Sequence, residues 1–324
     1  MIPIYKGIQE EKAILRALLN KQEVSIRKAF ETFIKDATSE ETIKQVTELI
    51  SRNRIEEALA LIDIHIRVFG NILPKVFMDV AYGEVASLAS AISKLKPTLT
   101  VSFDPTNSRA IDLMNRSRLN LITDISSKQR AAIRQILTDS FRRGLSPKES
   151  ADRVKRVIGL TPYQVNIVSN YKKLLETGSR EALNRELRNT RFDETVENAI
   201  NKRKALTTTQ INRMVEAFRR NQVAERAYTL SRTESLSTFN EARDEGLQQS
   251  LDITGLSKDR VERVWNTTID GRQRDTHDRM NKQIRGVDEA FESPSGATLM
   301  YPGDRHAPVR ERINCRCVLT LRFK

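Results

Sequence analysis

The sequence predicts a mainly α fold, an elongated multi-helix protein with a small α+β domain at its C-terminus. The 324 residues include only 12 Gly and 9 Pro, below the usage of about 7% and 5% that is average for proteins. Apolar residues recur at helical spacing through much of the first 250 residues, which favours amphipathic helices. Five of the glycines and three of the prolines lie after residue 250, where short alternating segments favour strands and turns.

These patterns predict three domains. They are an N-terminal helical domain over 1–96, a basic helical domain over 97–250 that ends in a long helix, and a small α+β domain over 251–324 that contains an Asn-Cys-Arg-Cys motif.

Four helices are predicted in the N-terminal domain. The first covers 9–36, the second begins at a capping box formed by Thr38 and Glu41, the third covers 55–69 and the fourth covers 76–93.

The middle domain begins with an extended linker or short strand over 96–107, because prolines bound a β-rich run there. Capping residues then predict helix starts, and glycines predict helix ends. The starts are at Ser126, Ser146-Pro147 and Thr161-Pro162, and the ends are at Gly144, Gly159 and Gly178. One long helix, or two nearly continuous ones, covers 207–250, and its apolar stripe changes phase near Asn221, which predicts a kink or break.

Two strands are predicted in the C-terminal domain. Residues 261–268 alternate in polarity and contain the sole tryptophan, Trp265, and residues 315–323 form a strand that ends the sequence.

Composition excludes several classes of protein. The formal charge is +13 and the pI is near 9.8. No apolar run approaches the ~18 residues that a membrane-spanning helix needs, and the N-terminal residues become charged before a secretory signal could form. Two cysteines two positions apart exclude a disulfide framework and suit a reducing compartment. We therefore expect a protein made in a cytoplasm.

The charge is concentrated in the middle of the chain. Residues 1–100, 101–250 and 251–324 carry +1, +9 and +3. A basic stripe is the expected footprint of a phosphate-backbone ligand, although a solvated helix surface explains it as well. Few aromatic residues lie among the basic clusters, so any nucleic-acid contact should be with duplex and independent of sequence. The candidate DNA-contacting residues are Arg142, Arg143, Lys155, Arg156, Lys172, Lys173, Lys202, Arg203, Lys204, Arg219 and Arg220.

A polar cluster is predicted in the C-terminal domain. Asp270, Arg274 and His277 have i, i+4, i+7 spacing, so on a helix they would share one face and Arg274 could pair with Asp270. A structural clasp is favoured over an acid–base site, because no nucleophile or second general acid completes a catalytic constellation.

Cys315 and Cys317 leave three alternatives open. In a strand both sulfurs project to one face, where they could be reduced packing thiols, ligands of a structural zinc with His277 or His306, or part of a catalytic metal site.

The C-terminal motifs resemble those of the phage head morphogenesis family, which includes the Mu F-like minor head proteins. The resemblance extends upstream through Arg232-Thr233-Glu234, Asn240 and the segment 103–126, and so covers roughly residues 100–324. The motif residues are Trp265, Asp270, Arg274, His277, Phe291, Pro294, Gly296, Tyr301, Pro302, Gly303, Asn314, Cys315, Arg316 and Cys317.

This resemblance implies a virion structural protein rather than an enzyme. It implies several copies per particle, bound to the portal protein at the portal vertex inside the head, and a role in making infectious particles. The inner surface of the major capsid protein is a further expected partner, and some relatives bind double-stranded DNA and are ejected with it. Two other functions stay open: a metal-dependent hydrolase acting on DNA or cell wall, and an assembly factor absent from the mature particle.

Overall fold

Helices make up most of the protein, and the strands are mainly in the C-terminal part. The computed structural model describes residues 2–3, 8–92 and 100–324, and in these residues the predicted mainly α fold with a small α+β C-terminal part is confirmed. The helices are α1 (Ile8–Ala37), α2 (Glu40–Ser51), α3 (Ile55–Gly70), α4 (Ile72–Ile92), α5 (Ser108–Arg142), α6 (Pro147–Val157), α7 (Pro162–Glu176), α8 (Asp193–Asn201), α9 (Thr208–Thr254), α10 (Asp275–Met280) and α11 (Val309–Arg312).

Two helix starts have the capping that the sequence predicts. Ser146 and Thr161 accept hydrogen bonds from the backbone N–H of Glu149 and Gln164, whose side chains reach back to form complete capping boxes. Proline occupies the first turn of α6 and α7, where its missing N–H costs no hydrogen bond.

Three other predictions about helix boundaries are wrong. Ser39, not Thr38, caps α2 and accepts from the N–H of Thr42. Ser126 lies inside α5, because that helix begins at Ser108, and its hydroxyl donates to Asp63. The alternative of one long helix is confirmed by α9, so the break predicted near Asn221 is absent.

The linker prediction lies partly outside the described residues. Nothing is described for 96–99, whereas residues 100–107 form an extended segment and a turn before α5. No helix of the described chain is long and apolar enough to cross a lipid bilayer.

The C-terminal sheet is antiparallel and has the order β1-β6-β2-β3. The strands are β1 (Ile2–Pro3), β2 (Val261–Asn266), β3 (Ile284–Arg285) and β6 (Val318–Phe323), and a separate hairpin contains β4 (Phe291–Glu292) and β5 (Thr298–Leu299). The register of β2 and β6 places Trp265 opposite Leu319. Both strands predicted in this domain are present, but the second begins at Val318 rather than at Cys315, so the prediction that the two cysteines lie in a strand is wrong. Strand β1, from the other end of the chain, pairs with β6.

Two compact units make up the chain. The sheet unit contains residues up to 29, 70–121 and 229–324, and the helical unit contains 30–69 and 122–228. Helices α1, α5 and α9 each contribute residues to both units. The division of the sequence into 1–96, 97–250 and 251–324 stays a proposal.

Each unit has its own aromatic core. In the helical unit the rings of Tyr171 and Phe218 lie 4.3 Å apart, among buried residues of α7, α8 and α9. In the sheet unit Trp265 is fully buried, and its ring lies 5.4 Å from that of Phe291 and 5.3 Å from that of His277. Burial of such rings is a large share of the hydrophobic stabilisation of small domains.

Candidate functional sites

Helix α9 holds the loop between β5 and α11 through buried hydrogen bonds. Ser237 and Asn240 donate from their side chains to the carbonyl oxygens of Gly303 and Pro302, at 2.6 and 2.7 Å. Gly303 has a φ of +83°, and a Cβ atom there would lie 3.1 Å from Cγ of Leu236. Both backbone strain and a close approach therefore require glycine at this position.

An arginine with only 9% of its side chain exposed fixes the same loop to α9. Arg305 donates to Glu234 at 2.6 Å and to Glu241 at 3.2 Å, and it contacts the hydroxyl of Thr238 at 3.0 Å. Buried charges are tolerated when they are paired and hydrogen-bonded in this way. Asn314 continues the attachment, because its backbone N–H donates to the hydroxyl of Thr233 at 3.2 Å.

Two further buried arginines organise the sheet unit. Arg243 of α9 pairs with Glu84 of α4 at 2.8 Å and also donates to the carbonyl oxygen of Leu319 in β6. Arg263 of β2 is fully buried and donates to the carbonyl oxygens of Gly286, Glu289 and Met300. These contacts satisfy backbone acceptors that irregular loops would otherwise leave unpaired.

His277, Cys315 and Cys317 come together in what we name the cysteine–histidine cluster. The Nδ1 atom of His277 lies 3.4 Å from Sγ of Cys315 and 3.5 Å from Sγ of Cys317. Its other ring nitrogen, Nε2, lies 2.9 Å from Oε2 of Glu311. All four residues are at least 97% buried, so solvent does not compete for these contacts.

Contacts within this cluster shift the pKa values of the two thiols in opposite directions. A hydrogen bond from Cys315 lowers the pKa of the Cys317 thiol well below its usual range, and the same contact raises the pKa of Cys315. Burial opposes ionisation of Glu311, but hydrogen bonds from Ser295 and His277 lower its pKa overall. The cluster therefore offers two sulfurs and an imidazole whose orientation a carboxylate fixes.

The predicted pairing within Asp270, Arg274 and His277 is wrong, because α10 begins at Asp275 and the three do not share a helical face. Asp270 instead pairs with Arg316, with 2.7 Å between Oδ1 and Nη2, and Arg274 donates to the carbonyl oxygen of Ile313. These contacts still join the segment before α10 to the segment before β6.

His306 does not join the two cysteines, contrary to one of the sequence alternatives. It lies exposed in the turn that begins at Asp304, whose carboxylate accepts from the His306 backbone N–H at 2.9 Å. The residues among the described chain that could hold a metal ion are His277, Cys315 and Cys317.

The helical unit contains a separate cavity of about 940 Å³, which we name the basic groove. It is open to solvent and lies among α5, α6, α7 and the start of α9. Its charged lining residues comprise eight basic residues and one acid: Arg143, Arg153, Arg156, Lys172, Arg191, Arg213, Arg219, Arg220 and Glu216. Apolar residues, including Val157, Val165 and Val215, form part of the lining.

Only part of the positive charge in the basic groove is neutralised within the groove. Arg219 pairs with Glu216 at 2.8 Å, and this contact lowers the pKa of Glu216, so the acid stays ionised. Arg153 and Arg143 pair with Asp139 at 2.5 and 3.7 Å, and Lys172 pairs with Glu176 at 3.6 Å. Neither of these acids lines the groove. Arg156 and Arg213, by contrast, are exposed on the facing helices α6 and α9. A concave surface with such an excess of cations concentrates its field on anionic ligands.

The basic groove contains some of the residues that the sequence analysis proposed for DNA contact and lacks others. Arg143, Arg156, Lys172, Arg219 and Arg220 line it. A neighbouring cavity of about 380 Å³ is lined by Lys155. The remaining candidates, Arg142, Lys173, Lys202, Arg203 and Lys204, are not among the lining residues.

Sequence reasoning missed Arg153, Arg191 and Arg213, which also line the groove. The residues predicted for DNA contact are adjacent in sequence, whereas a groove between helices collects single residues at i, i+3 and i+4 spacing. Asn212, Glu216 and Arg219 of α9 show that spacing, and helical periodicity of polar residues was the signal that could have found the set.

Comparison with known proteins identifies a family that matches the middle and C-terminal parts of the chain. Residues 131–320, more than half of the sequence, match a family described as Phage Mu protein F like protein. An uncharacterized protein, YqbB of Bacillus subtilis (strain 168), is 33% identical over 99 residues, which are 30% of this chain and 30% of that protein. The matching segment is thus well under two thirds of that relative's length. No solved structure matches the chain.

Proposed function

Because the chain belongs to the Phage Mu protein F like family, we propose that it is a minor structural protein of a tailed bacteriophage, bound at the portal vertex inside the head. Membership of the family makes it a phage head-related protein. The location, the portal as partner and the contact with packaged DNA are proposals, and so is ejection of the protein with the DNA.

The basic groove carries the proposal of DNA contact. Its eight cations and one paired acid come from α6, α7, α9 and the segments around them, so they cover a surface rather than a single point. Such a surface suits a run of phosphates along a duplex, whose binding is driven by release of counterions. An isolated small anion would need far fewer cations.

The lining of the basic groove does not favour recognition of individual bases. Phe192 is the aromatic member of its lining, and the guanidinium of Arg191 lies 4.9 Å above the Phe192 ring. That ring face is therefore covered and does not offer a platform for stacking a base. Contact with the phosphate backbone, independent of sequence, is the mode that the groove supports.

The test is the affinity of the full-length protein for a mixed-sequence duplex, measured by fluorescence anisotropy at several salt concentrations. We expect affinity to fall steeply between about 50 and 200 mM salt. The double variant Arg156→Glu and Arg213→Glu should bind more weakly and lower the slope of log affinity against log salt by about 2. Both side chains are exposed, so folding should be retained.

The matched control is the double variant Lys202→Glu and Lys204→Glu, which changes the net charge by the same amount outside the groove. If it weakens binding as much as the groove variant, diffuse charge rather than the groove binds DNA. Binding by the unaltered protein that does not depend on salt would contradict the whole interface.

Docking on the portal needs a more local test than removal of the N-terminal residues. A deletion of residues 1–95 would remove Glu84, the buried partner of Arg243, and would disturb the sheet unit itself. Ile64 and Val68 of α3 are 53% and 64% exposed and lie one helical turn apart. We propose them as part of the docking surface, and Ile64→Glu with Val68→Glu should lower the copy number in purified particles. An unchanged copy number would exclude this face of α3.

Mass spectrometry of mature particles separates a virion component from an assembly factor. The proposal predicts that the protein is retained in the particle. Its absence from mature particles, with presence in immature heads, would instead identify an assembly factor.

A further inference from the structure

We propose that the cysteine–histidine cluster is a structural zinc site, with Nδ1 of His277 and the sulfurs of Cys315 and Cys317 as its three protein ligands. This site is independent of the proposed contact with DNA, because its residues belong to the sheet unit and the basic groove belongs to the helical unit.

The distances fit a tetrahedral ion. With Zn–S bonds of about 2.3 Å and a Zn–N bond of about 2.0–2.1 Å, tetrahedral angles place sulfur and nitrogen about 3.6 Å apart. The two observed distances from Nδ1 of His277 are 3.4 and 3.5 Å, and the three ligand atoms all lie within 4.8 Å of one another. The side chains therefore need little rearrangement to bind an ion between them.

The histidine is oriented as a metal ligand usually is. Its Nε2 faces Oε2 of Glu311, and the other oxygen of that carboxylate accepts from the hydroxyl of Ser295 at 2.7 Å. A carboxylate on the distal nitrogen places the proton on Nε2 and leaves the lone pair of Nδ1 directed at the sulfurs. The backbone of the histidine is held as well, because Thr267 donates to its carbonyl oxygen at 2.5 Å.

A small cavity borders all three proposed ligands. It has a volume of about 10 Å³, which is close to the space that one water molecule occupies. Water can therefore complete the tetrahedron. Binding would release the thiol protons to solvent, because both cysteines coordinate as thiolates.

Three protein ligands and one water are also the coordination of catalytic zinc sites, but this site lacks the general base that such chemistry needs. Its other lining residues contribute no carboxylate that could act as a general base at the fourth position: Thr268, Arg272, Gln273, Arg274, Asn314 and Arg316. The donor set of two thiolates and one imidazole selects zinc over the oxygen-preferring Mg²⁺, Ca²⁺ and Mn²⁺. A bound ion would join α10 to the residues that precede β6.

The experiment measures metal content of the full-length protein, produced without an affinity tag and analysed by inductively coupled plasma mass spectrometry. We expect about one zinc per chain. Replacement of zinc by Co²⁺ should produce the thiolate-to-cobalt charge-transfer absorption. His306→Ala is the matched control, since that histidine is exposed and outside the cluster, and it should retain full zinc content.

Variants of the cluster distinguish a ligand role from a packing role. Cys317→Ser and His277→Ala should lose the zinc. If either variant fails to fold, Glu311→Gln keeps all three ligands and should lower zinc affinity by about 10–100-fold. A folded wild-type protein with well under one zinc per chain, and without the cobalt–thiolate absorption on titration, would overturn the proposal and leave the cysteines as reduced packing thiols.

Discussion

The side-chain amide of Asn240 donates a hydrogen bond to the carbonyl oxygen of Pro302, with 2.7 Å between the two atoms, and both residues are buried. The contact joins two motifs that lie 62 positions apart in the sequence. Motifs that resemble those of the phage head family therefore meet in space, where α9 supports the loop that follows β5.

Loss of this hydrogen bond should destabilise the sheet unit. We expect Asn240→Ala to lower the free energy of unfolding by about 1–3 kcal/mol, because the carbonyl oxygen of Pro302 is left buried without its donor. Urea unfolding followed by tryptophan fluorescence is the appropriate measurement, since Trp265, the sole tryptophan, lies in this unit. Asn170→Ala, on the exposed face of α7, is the control and should change stability little.

Substitution of Gly303 separates backbone strain from steric overlap. Gly303→Ala should lower stability by about 2–4 kcal/mol, because it adds a close contact with Leu236 to the strain of a positive φ. Gly178→Ala has a similar φ of +65° with no atom within 4 Å of the added Cβ, and should cost about 1 kcal/mol. Equal losses at the two positions, by thermal unfolding, would show that the contact with Leu236 contributes nothing.

Removal of Arg305 should be among the most damaging single changes in the sheet unit. Arg305→Ala leaves Glu234 and Glu241 without their buried cation, and we expect a loss of about 3–5 kcal/mol. Arg310→Ala removes the same charge from a side chain that is 70% exposed, and should have little effect. Recovery of stability in a triple variant that also neutralises both glutamates would confirm that uncompensated charge is the cause.

The raised pKa of Glu11 should make the free energy of unfolding fall as pH rises. Burial raises its pKa from 4.5 to about 7, with Glu84 adding to the rise and with Arg243, Arg322 and the N–H of Leu321 opposing it. The folded state then binds more protons than the unfolded state between these two values. The stability that protonated Glu11 contributes is fully present below about pH 4.5 and is lost as pH rises through about 7.

The measurement is the free energy of unfolding between pH 5 and 8. In the unaltered protein the free energy of unfolding should decrease by up to about 3 kcal/mol over this range, and Glu11→Gln should remove that decrease. The variant should therefore be more stable than the unaltered protein at pH 8. Glu10→Gln, at the exposed neighbouring position, should leave the decrease in place. A pH profile unchanged by Glu11→Gln would exclude this carboxyl as its source.

Local chemistry explains which parts of the fold the sequence could predict. Ser146 and Thr161 act on backbone groups only three residues away, so their capping boxes are readable from sequence. The strand that contains Trp265 was predicted from alternating polarity and is present, but five of its six residues are buried, so both of its faces are covered. The break predicted near Asn221 is absent, because the two parts of α9 belong to different compact units and need not share one apolar stripe.

Contacts between distant residues could not be predicted. Asp270 pairs with Arg316, 46 positions away, rather than with Arg274 four positions away, because a turn at Gly271 precedes the short helix α10. The basic groove likewise depends on how α5, α6, α7 and α9 converge. Spacing along the chain carries information on one helix face, whereas a groove depends on several faces at once.

The central claim is that the basic groove contacts packaged DNA, and protein–DNA cross-linking inside purified mature particles tests it most directly. Mass spectrometry should find DNA-linked peptides that contain Arg156, Lys172 and Arg213, with far fewer links at residues 202–204. Absence of the protein from the particles, or cross-links that avoid the groove, would contradict the account.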